Sequence, residues 1–552
     1  MSSSAVTEPT YDLVVIGAGI NGLGIARDAA ARGLRVAVVE KDDLCSGVSA
    51  WSGRLVHGGL RYLEHGEIPL VRESLKERER LFRLAPHLVK PVRLLMPFFA
   101  KNKRPPWMIR IGMIGYDLLS FDKQSPWHRI LGRGALERRF PGIERDGLSG
   151  AAMFTDGQLE YAERLCVELA VGAAADGARI LTHTAAIGLP TEGGRVSGVT
   201  VRMHDGVERT LQARVVVNAA GPWVDWVLGN PNGGTLRPGE KRHIGGAKGT
   251  HVIVDRFPGG PTDVVYYESQ ADQRLVLVIP WMGRYLIGCT DSKFEDDPDD
   301  ARAESDEVEY LLKEVNALVP GAGLTEADVL YTYSGVRPLP YRPGVAEWRV
   351  PRSHILHDHG KEGRKNLISA ISGKLTTYRQ LAEDAVDLVQ KRLGRKVSSS
   401  PTRDLAFPGA RAADMAAFAR DFIASAPLAG DVAARLVDLY GTRAESIVAL
   451  QRAEPQLGRR LSRTVPLIAA EVAFVIDTEF ALTVADVFAR RTLLAFEPGH
   501  GLDVVDEVAD LMAERLGWDA DQRQSSIEDY RQWLGHLAVP ASVVARAERV
   551  GA

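Results

Sequence analysis

Gly17, Gly19 and Gly22 in VVIGAGINGLG stand in GxGxxG spacing. Such a triplet lets a chain turn sharply, brings bare backbone against a pyrophosphate and packs a helix closely on a strand, while the helix N-terminus attracts the negative charge. Glu40 follows 18 residues past Gly22, at the end of a second apolar run, where a carboxylate can accept hydrogen bonds from a ribose. That arrangement suits NAD and FAD equally. A second set of residues is cationic: Arg61 in HGGLRYLEHGE, Arg337 in SGVRP and Lys374 in SGKLT. A phosphate dianion in a cleft needs cations and donors, and the planar fork of arginine matches its oxygens. His251, in KGTH, has an ordinary pKa close to that of a useful general base. Taken singly, each has a plainer reading: surface ion pairs for the cations and a core position for the histidine.

These residues need a frame. YDLVVI (11–16), INGLGIARDAAARG and RVAVVE read as strand, helix and strand. VVVNAAGPW (215–223) ends a strand in small residues before Gly221-Pro222, allowing backbone to pass close to a cofactor or simply ending the strand. SGKLTTYRQLAEDAV is a loop entering a helix, whose first amides and the Thr376 and Thr377 hydroxyls can face a flavin edge or a phosphate, or merely cap the helix. A helical stretch near 158–176 precedes further strand-like pieces. Between 243 and 335, short separated strands such as THVIV, RLVLVIP and RYLIGCT suggest an antiparallel sheet in a second domain. After FPGA (407–410) the composition shifts to Ala, Arg, Leu and Glu with 3.6-residue periodicity, as in VADVFARRTLLAF, giving a helical tail.

The 552 residues exceed one core, so two or three domains are expected. A formal charge of −3 calls for no nucleic-acid partner. Three scattered cysteines exclude a disulfide framework and a cysteine metal site, and no metal ligand set stands out. The opening MSSSAVTEPT reads as a loose tail, and no apolar run is long enough to cross a bilayer. RPPWMIRIGMIGYDLLSF (104–121) mixes Trp107, Met108, Ile111, Met113 and Ile114 with cations, as either an interfacial helix or a buried one. FEDDPDD (294–300) lacks EF-hand spacing and reads as a solvated acidic turn.

Together HGGLRYLE, NAAGPWV, AKGTHVIV, IPWMGRYLIGCTD, TYSGVRPL and SGKLTTYR, in order from about residue 11 to 408, with DVFARRTLLAF in the tail, resemble the FAD-dependent sn-glycerol-3-phosphate dehydrogenases. The resemblance implies an α/β chain: a Rossmann-like FAD-binding domain (11–85, 150–242 and 355–407), an antiparallel-sheet substrate domain of the D-amino-acid-oxidase type (86–149 and 243–354) and a C-terminal α-helical domain (408–552) after a tail at 1–10. It implies FAD as cofactor, held by Gly17, Gly19, Asn21, Gly22, Glu40, Ser49, Ser52, His57, Gly58, Gly59, Ala220, Gly221, Gly373, Lys374, Leu375 and Thr376. Arg61, Tyr62, Arg337 and Lys374 then bind the phosphate of glycerol 3-phosphate. Hydride leaves C2 for flavin N5, with His251 as the first candidate to receive the hydroxyl proton and Arg337 or a water as the alternative. Gly58 and Gly59 let the His57 loop approach the ring. Electrons pass to quinone or, in a rival oxidase, to dioxygen; an NAD enzyme and a dead nucleotide-binding module are weaker alternatives. A homodimer, contact through 104–121 and a cytoplasmic location on the inner membrane face are also expected. Trp51, Gly53 and Arg54 depart from the usual small hydroxyl residues and lysine of the family, leaving that loop's hydrogen bonds to the cofactor open.

Overall fold

The computed structural model describes residues 10–229, 241–345 and 349–544, without the side chains of Arg61 and His65. Most of the tail expected at 1–10, and the last residues of the helical domain, lie outside them. β1 (Tyr11–Ile16), α1 (Ile20–Ala31) and β2 (Val36–Val39) form the expected strand, helix and strand. Both strands are buried along their length, as parallel strands covered on two faces must be. The sheet runs Ile355–Asp358, Leu367–Ile371, Glu208–Asn218, β1, β2, Arg179–Leu181, with parallel pairing around β1. Helices Ala162–Ala175 and Tyr378–Arg392 pack on α1.

Two glycines of the first turn are dictated by contact. Gly17 has φ +102°, and a Cβ there would lie 2.7 Å from the Ala219 carbonyl oxygen. A Cβ on Gly22 would lie 1.9 Å from the Gly17 oxygen. The small residues of NAAGP therefore seat the glycine turn against the neighbouring strand end.

The second sheet, ten-stranded among the described residues, is built on Ile244–Val254, which pairs antiparallel with Val329–Pro340 and Arg284–Gly288. It departs from the expectation in two ways. Val264–Glu268 runs parallel to Val89–Phe99, so the sheet is mixed. Leu148–Leu159 pairs with nearly all of Val89–Phe99, so the boundary drawn at 150 cuts through one strand of this sheet. The strand's long hydrogen-bonded partnership, not its neighbours in sequence, decides its place.

From Met415 onward the chain is helical. The regular period expected through VADVFARRTLLAF breaks: Val487–Arg491 is a π-helical turn, and Leu493 follows at φ +62°. A π-turn inserts an extra residue into the helical register. Arg490 and Arg491 are both buried there. Arg491 donates to both oxygens of Asp43 at 2.5 and 2.7 Å, and Arg490 lies 5.5 Å from the Trp51 ring and 5.2 Å from that of Trp533. Arg164 likewise holds Glu479 at 2.5 and 2.9 Å. Buried charges need such partners, and here they join the helical domain to the loop after β2 and to helix Ala162–Ala175. Cys45 and Cys166, far apart in sequence, meet in this core as free thiols.

Candidate active site

A cavity of about 770 Å³ opens between the two sheets, within the usual range for ligand sites of roughly 300–1,000 Å³. One part is the mononucleotide end. Gly17, Gly19, Asn21, Glu40, Ser49, Ala220 and Gly221 line it, with Trp223 and Trp226. Glu40 accepts hydrogen bonds from the Ala18 and Asp42 amides at 2.7 and 3.1 Å. Burial, reinforced by the Asp42 carboxylate, pushes its pKa up to about 7. The Ser49 hydroxyl accepts from the Ile20 amide at 3.1 Å, bracing the start of α1 beside the glycine turn. Gly22 is not in the cavity wall; its role is the helix packing described above.

The other part holds the cationic set. Ser52, His57, Gly59, Tyr62, His251, Arg337, Gly373, Lys374, Leu375 and Thr376 all line the cavity. The Thr376 hydroxyl accepts from the His57 amide at 3.2 Å, pinning the loop to the start of the helix segment that follows Lys374. Gly59 stands at φ +79° under the Tyr62 ring, 2.2 Å from where its Cβ would be. Gly58 is not among the residues that line the cavity. Its amide donates to the Tyr116 hydroxyl at 3.0 Å, and a Cβ would lie 2.3 Å from that oxygen, so its bare backbone accommodates Tyr116. Arg61 shares this turn, but its side chain lies outside the described residues.

Lys374 Nζ donates to Ser74 Oγ at 2.6 Å and lies 4.2 Å from the Tyr62 ring centroid. Burial pushes its pKa down to about 7, with Glu73 and Glu67 too weak to restore it. Arg337 reaches across from the strand paired with that of His251. Its guanidinium donates to Asp291 at 2.9 Å and Cys289 Sγ at 2.8 Å, and it lies over Gly249, whose Cβ would approach Nη2 to 2.1 Å. His251 is buried with its ring 4.9 Å from that of Tyr333, above Gly288, where a Cβ would lie 2.2 Å from Cδ2. Burial, and then the Arg337 and Arg54 charges, push His251 down to about 3. Its Nδ1 has no hydrogen-bond partner among the described residues and faces the cavity that the residue lines.

The unusual Trp51–Arg54 loop is resolved by packing. Arg54 turns inward to Glu163 at 2.5 and 2.9 Å and lies 5.0 Å from the Trp281 ring, while Trp51 stacks on Trp533 and His536 at 6.0 Å. The buried pair with Glu163 anchors the loop. Sequence reasoning passed over Asp156, Arg274, Asp291 and Arg352, all in the cavity wall. Asp291 and Cys289 lie within the IPWMGRYLIGCTD motif, but Arg352 sits in no recognisable pattern; the fold brings it to the cavity wall, 3.7 Å from Asp291.

The residues present fit a flavin dinucleotide. Three buried polar atoms of the cavity wall, Asn21 Oδ1, Trp223 Nε1 and His251 Nδ1, lack a protein partner, and they are spread over both ends. A ligand spanning both ends can satisfy them.

Residues 12–379 match the FAD dependent oxidoreductase family, and residues 400–523 the C-terminal domain of alpha-glycerophosphate oxidase. A glycerol-3-phosphate dehydrogenase of Synechocystis sp. is 42% identical over 544 residues, 97% of this chain and 98% of that protein. A D-erythritol 1-phosphate dehydrogenase of Brucella abortus is 37% identical over 498 residues, 88% of this chain and 95% of that protein. The solved glycerol-3-phosphate dehydrogenase of Bacillus halodurans complexed with FAD superimposes with a TM-score of 0.79 at 26% identity, covering 97% of this chain and 96% of that one.

Proposed function

The chain belongs to the FAD-dependent oxidoreductases, in the glycerol-3-phosphate dehydrogenase family, and on that footing we propose that it oxidises sn-glycerol 3-phosphate to dihydroxyacetone phosphate and delivers the electrons to a membrane quinone. FAD, when bound, supplies the two-electron acceptor for the C2 hydride. Gly17, Gly19 and the start of α1 hold its pyrophosphate, and Glu40 its ribose. Lys374 in its charged form, Arg337 and Arg352 bind the phosphate dianion, Tyr62 walls the pocket, and the unpartnered His251 Nδ1 accepts the hydrogen bond of the substrate hydroxyl and takes its proton as the hydride leaves C2. The Arg337 charge beside that hydroxyl favours its deprotonated form.

One surface feature supports quinone over dioxygen. Helix Pro106–Leu118 buries Ile109, Met113 and Tyr116, yet exposes Trp107, Ile111, Ile114 and Leu118, with Phe121 and Trp127 beyond its end. Trp107 is 62% and Ile111 63% exposed. One face of segment 104–121 is thus buried and the other exposed, which supports the interfacial reading. The helix approaches the cavity through Gly112, where a Cβ would lie 4.0 Å from Leu60 of the cavity wall. An apolar surface rimmed by Lys101, Lys103 and Arg110 suits the interface of an anionic bilayer, where quinone dissolves. No helix among the described residues is long and apolar enough to cross a membrane.

The test is anaerobic. Glycerol 3-phosphate bleaches the flavin band of the purified protein, and a quinone analogue restores it much faster than air does. Rapid peroxide formation with little quinone reduction overturns the acceptor assignment; bleaching by D-erythritol 1-phosphate but not glycerol 3-phosphate overturns the substrate.

A further inference from the structure

Away from the cavity, three imidazoles and a carboxylate converge. His243 immediately precedes the strand Ile244–Val254 of the second sheet, whereas His357, His359 and Glu362 come from the edge strand Ile355–Asp358 of the nucleotide-binding sheet and the 3-10 turn after it. The ring centroids are 4.5 Å apart for His357 and His359, 4.6 Å for His243 and His357, and 5.4 Å for His243 and His359. Glu362 meets His357 Nε2 at 2.9 Å and His359 Nδ1 at 2.6 Å. One potential ligand atom from each of the four residues falls within 4.8 Å of all the others. Donors around a tetrahedral zinc-class ion, with bonds of about 2.0–2.1 Å, stand roughly 3.3–3.5 Å apart, so small side-chain movements complete the shell.

We propose that His243, His357, His359 and Glu362 form a binding site for one divalent transition-metal ion of the zinc class. Three nitrogens and one oxygen are a donor set that such ions favour and that magnesium and calcium do not. A support for one ligand is built in. His359 Nε2 lies 2.8 Å from Ser369 Oγ, a partner that fixes the ring and leaves Nδ1 for the metal. The cluster has an entry path, since Glu362 is exposed while His359 is buried.

The other convergence of this kind, Asp43, His183 and Asp486, is already satisfied. Asp43 holds Arg491, and Asp486 accepts the Leu482 and Thr483 amides, so it needs no ion. None of the four proposed ligands lines the cavity. The ion would act as a clamp between the two sheets, separate from the dehydrogenase chemistry.

The experiment uses tag-free, FAD-loaded protein stripped with a chelator and titrated calorimetrically with Zn²⁺, then with Mg²⁺. One Zn²⁺ binds per chain, the unfolding temperature rises, and Mg²⁺ does neither. His357→Ala weakens Zn²⁺ binding at least tenfold while flavin absorbance and turnover persist, and Glu362→Gln, a second variant at the solvent side, does the same. Absence of saturable Zn²⁺ binding, or binding that both variants leave unchanged, overturns the proposal and leaves a hydrogen-bonded histidine cluster.

Discussion

The pH dependence of substrate capture tests the role of Lys374. The free enzyme holds this ammonium at a pKa of about 7, against 10.5 for an ordinary lysine, because burial penalises the charge more than the nearby carboxylates favour it. If the charged form grips phosphate, kcat/KM reports the fraction of free enzyme that carries the proton. It falls roughly tenfold per pH unit above 7, so that at pH 9 about one hundredth of the plateau remains. The acid limb comes from the substrate, whose second phosphate ionisation lies near pKa ~6, so the optimum sits between about 6 and 7. Lys374→Arg keeps its charge throughout this range and abolishes the alkaline limb. Lys374→Met loses a charge-assisted hydrogen bond worth about 1.5–3 kcal/mol, a roughly ten- to hundredfold drop in kcat/KM, and raises the unfolding temperature by removing a costly buried amine. Steady-state assays with an artificial acceptor from pH 6 to 9 decide the matter. A flat profile, an alkaline limb that survives in Lys374→Arg, or a rate that rises through pH 7 as a lysine base requires, refutes the cation assignment.

Arg337→Ala removes the guanidinium beside Asp291 and His251, and kcat/KM falls by at least about a hundredfold while the flavin spectrum is retained; normal kinetics remove Arg337 from the pocket. Ile111→Glu with Ile114→Glu places charge on the exposed face of its helix and abolishes flotation with anionic liposomes, leaving turnover with a soluble acceptor intact. His183 bonds Asp486 at 2.9 Å; burial opposes its charge, but the Asp486 and Asp43 carboxylates prevail and push it up to about 9 from 6.5. A raised pKa gives stability that is complete below pH 6.5 and lost as pH rises through 9, so His183→Gln costs about 3 kcal/mol at pH 6 and little at pH 10. Denaturant melts at the two values check it, and an equal loss at both contradicts the ion pair.

The nucleotide-binding half was legible because its signals are local. The glycine spacing, the fully apolar β1 and the acid after β2 are each set within a few residues by backbone sterics and two-faced burial, and the structure places them as the motif requires. Residue type also marked Arg337 and Lys374, and the fold brings both to the wall of one cavity. What sequence could not carry is anything fixed by partners distant in the chain. Burial beside two guanidiniums pushes His251 well below its ordinary pKa, and burial likewise brings the Lys374 pKa down to about 7. Gly58 yields to Tyr116, Arg54 is turned away by Glu163, and the π-turn in the tail directs Arg491 to Asp43. The histidine cluster joins His243 to residues more than a hundred positions away in another sheet. Local sterics and hydrophobic period are written in neighbouring residues; electrostatic character depends on which charges and how much water surround a group, and only the folded chain determines those.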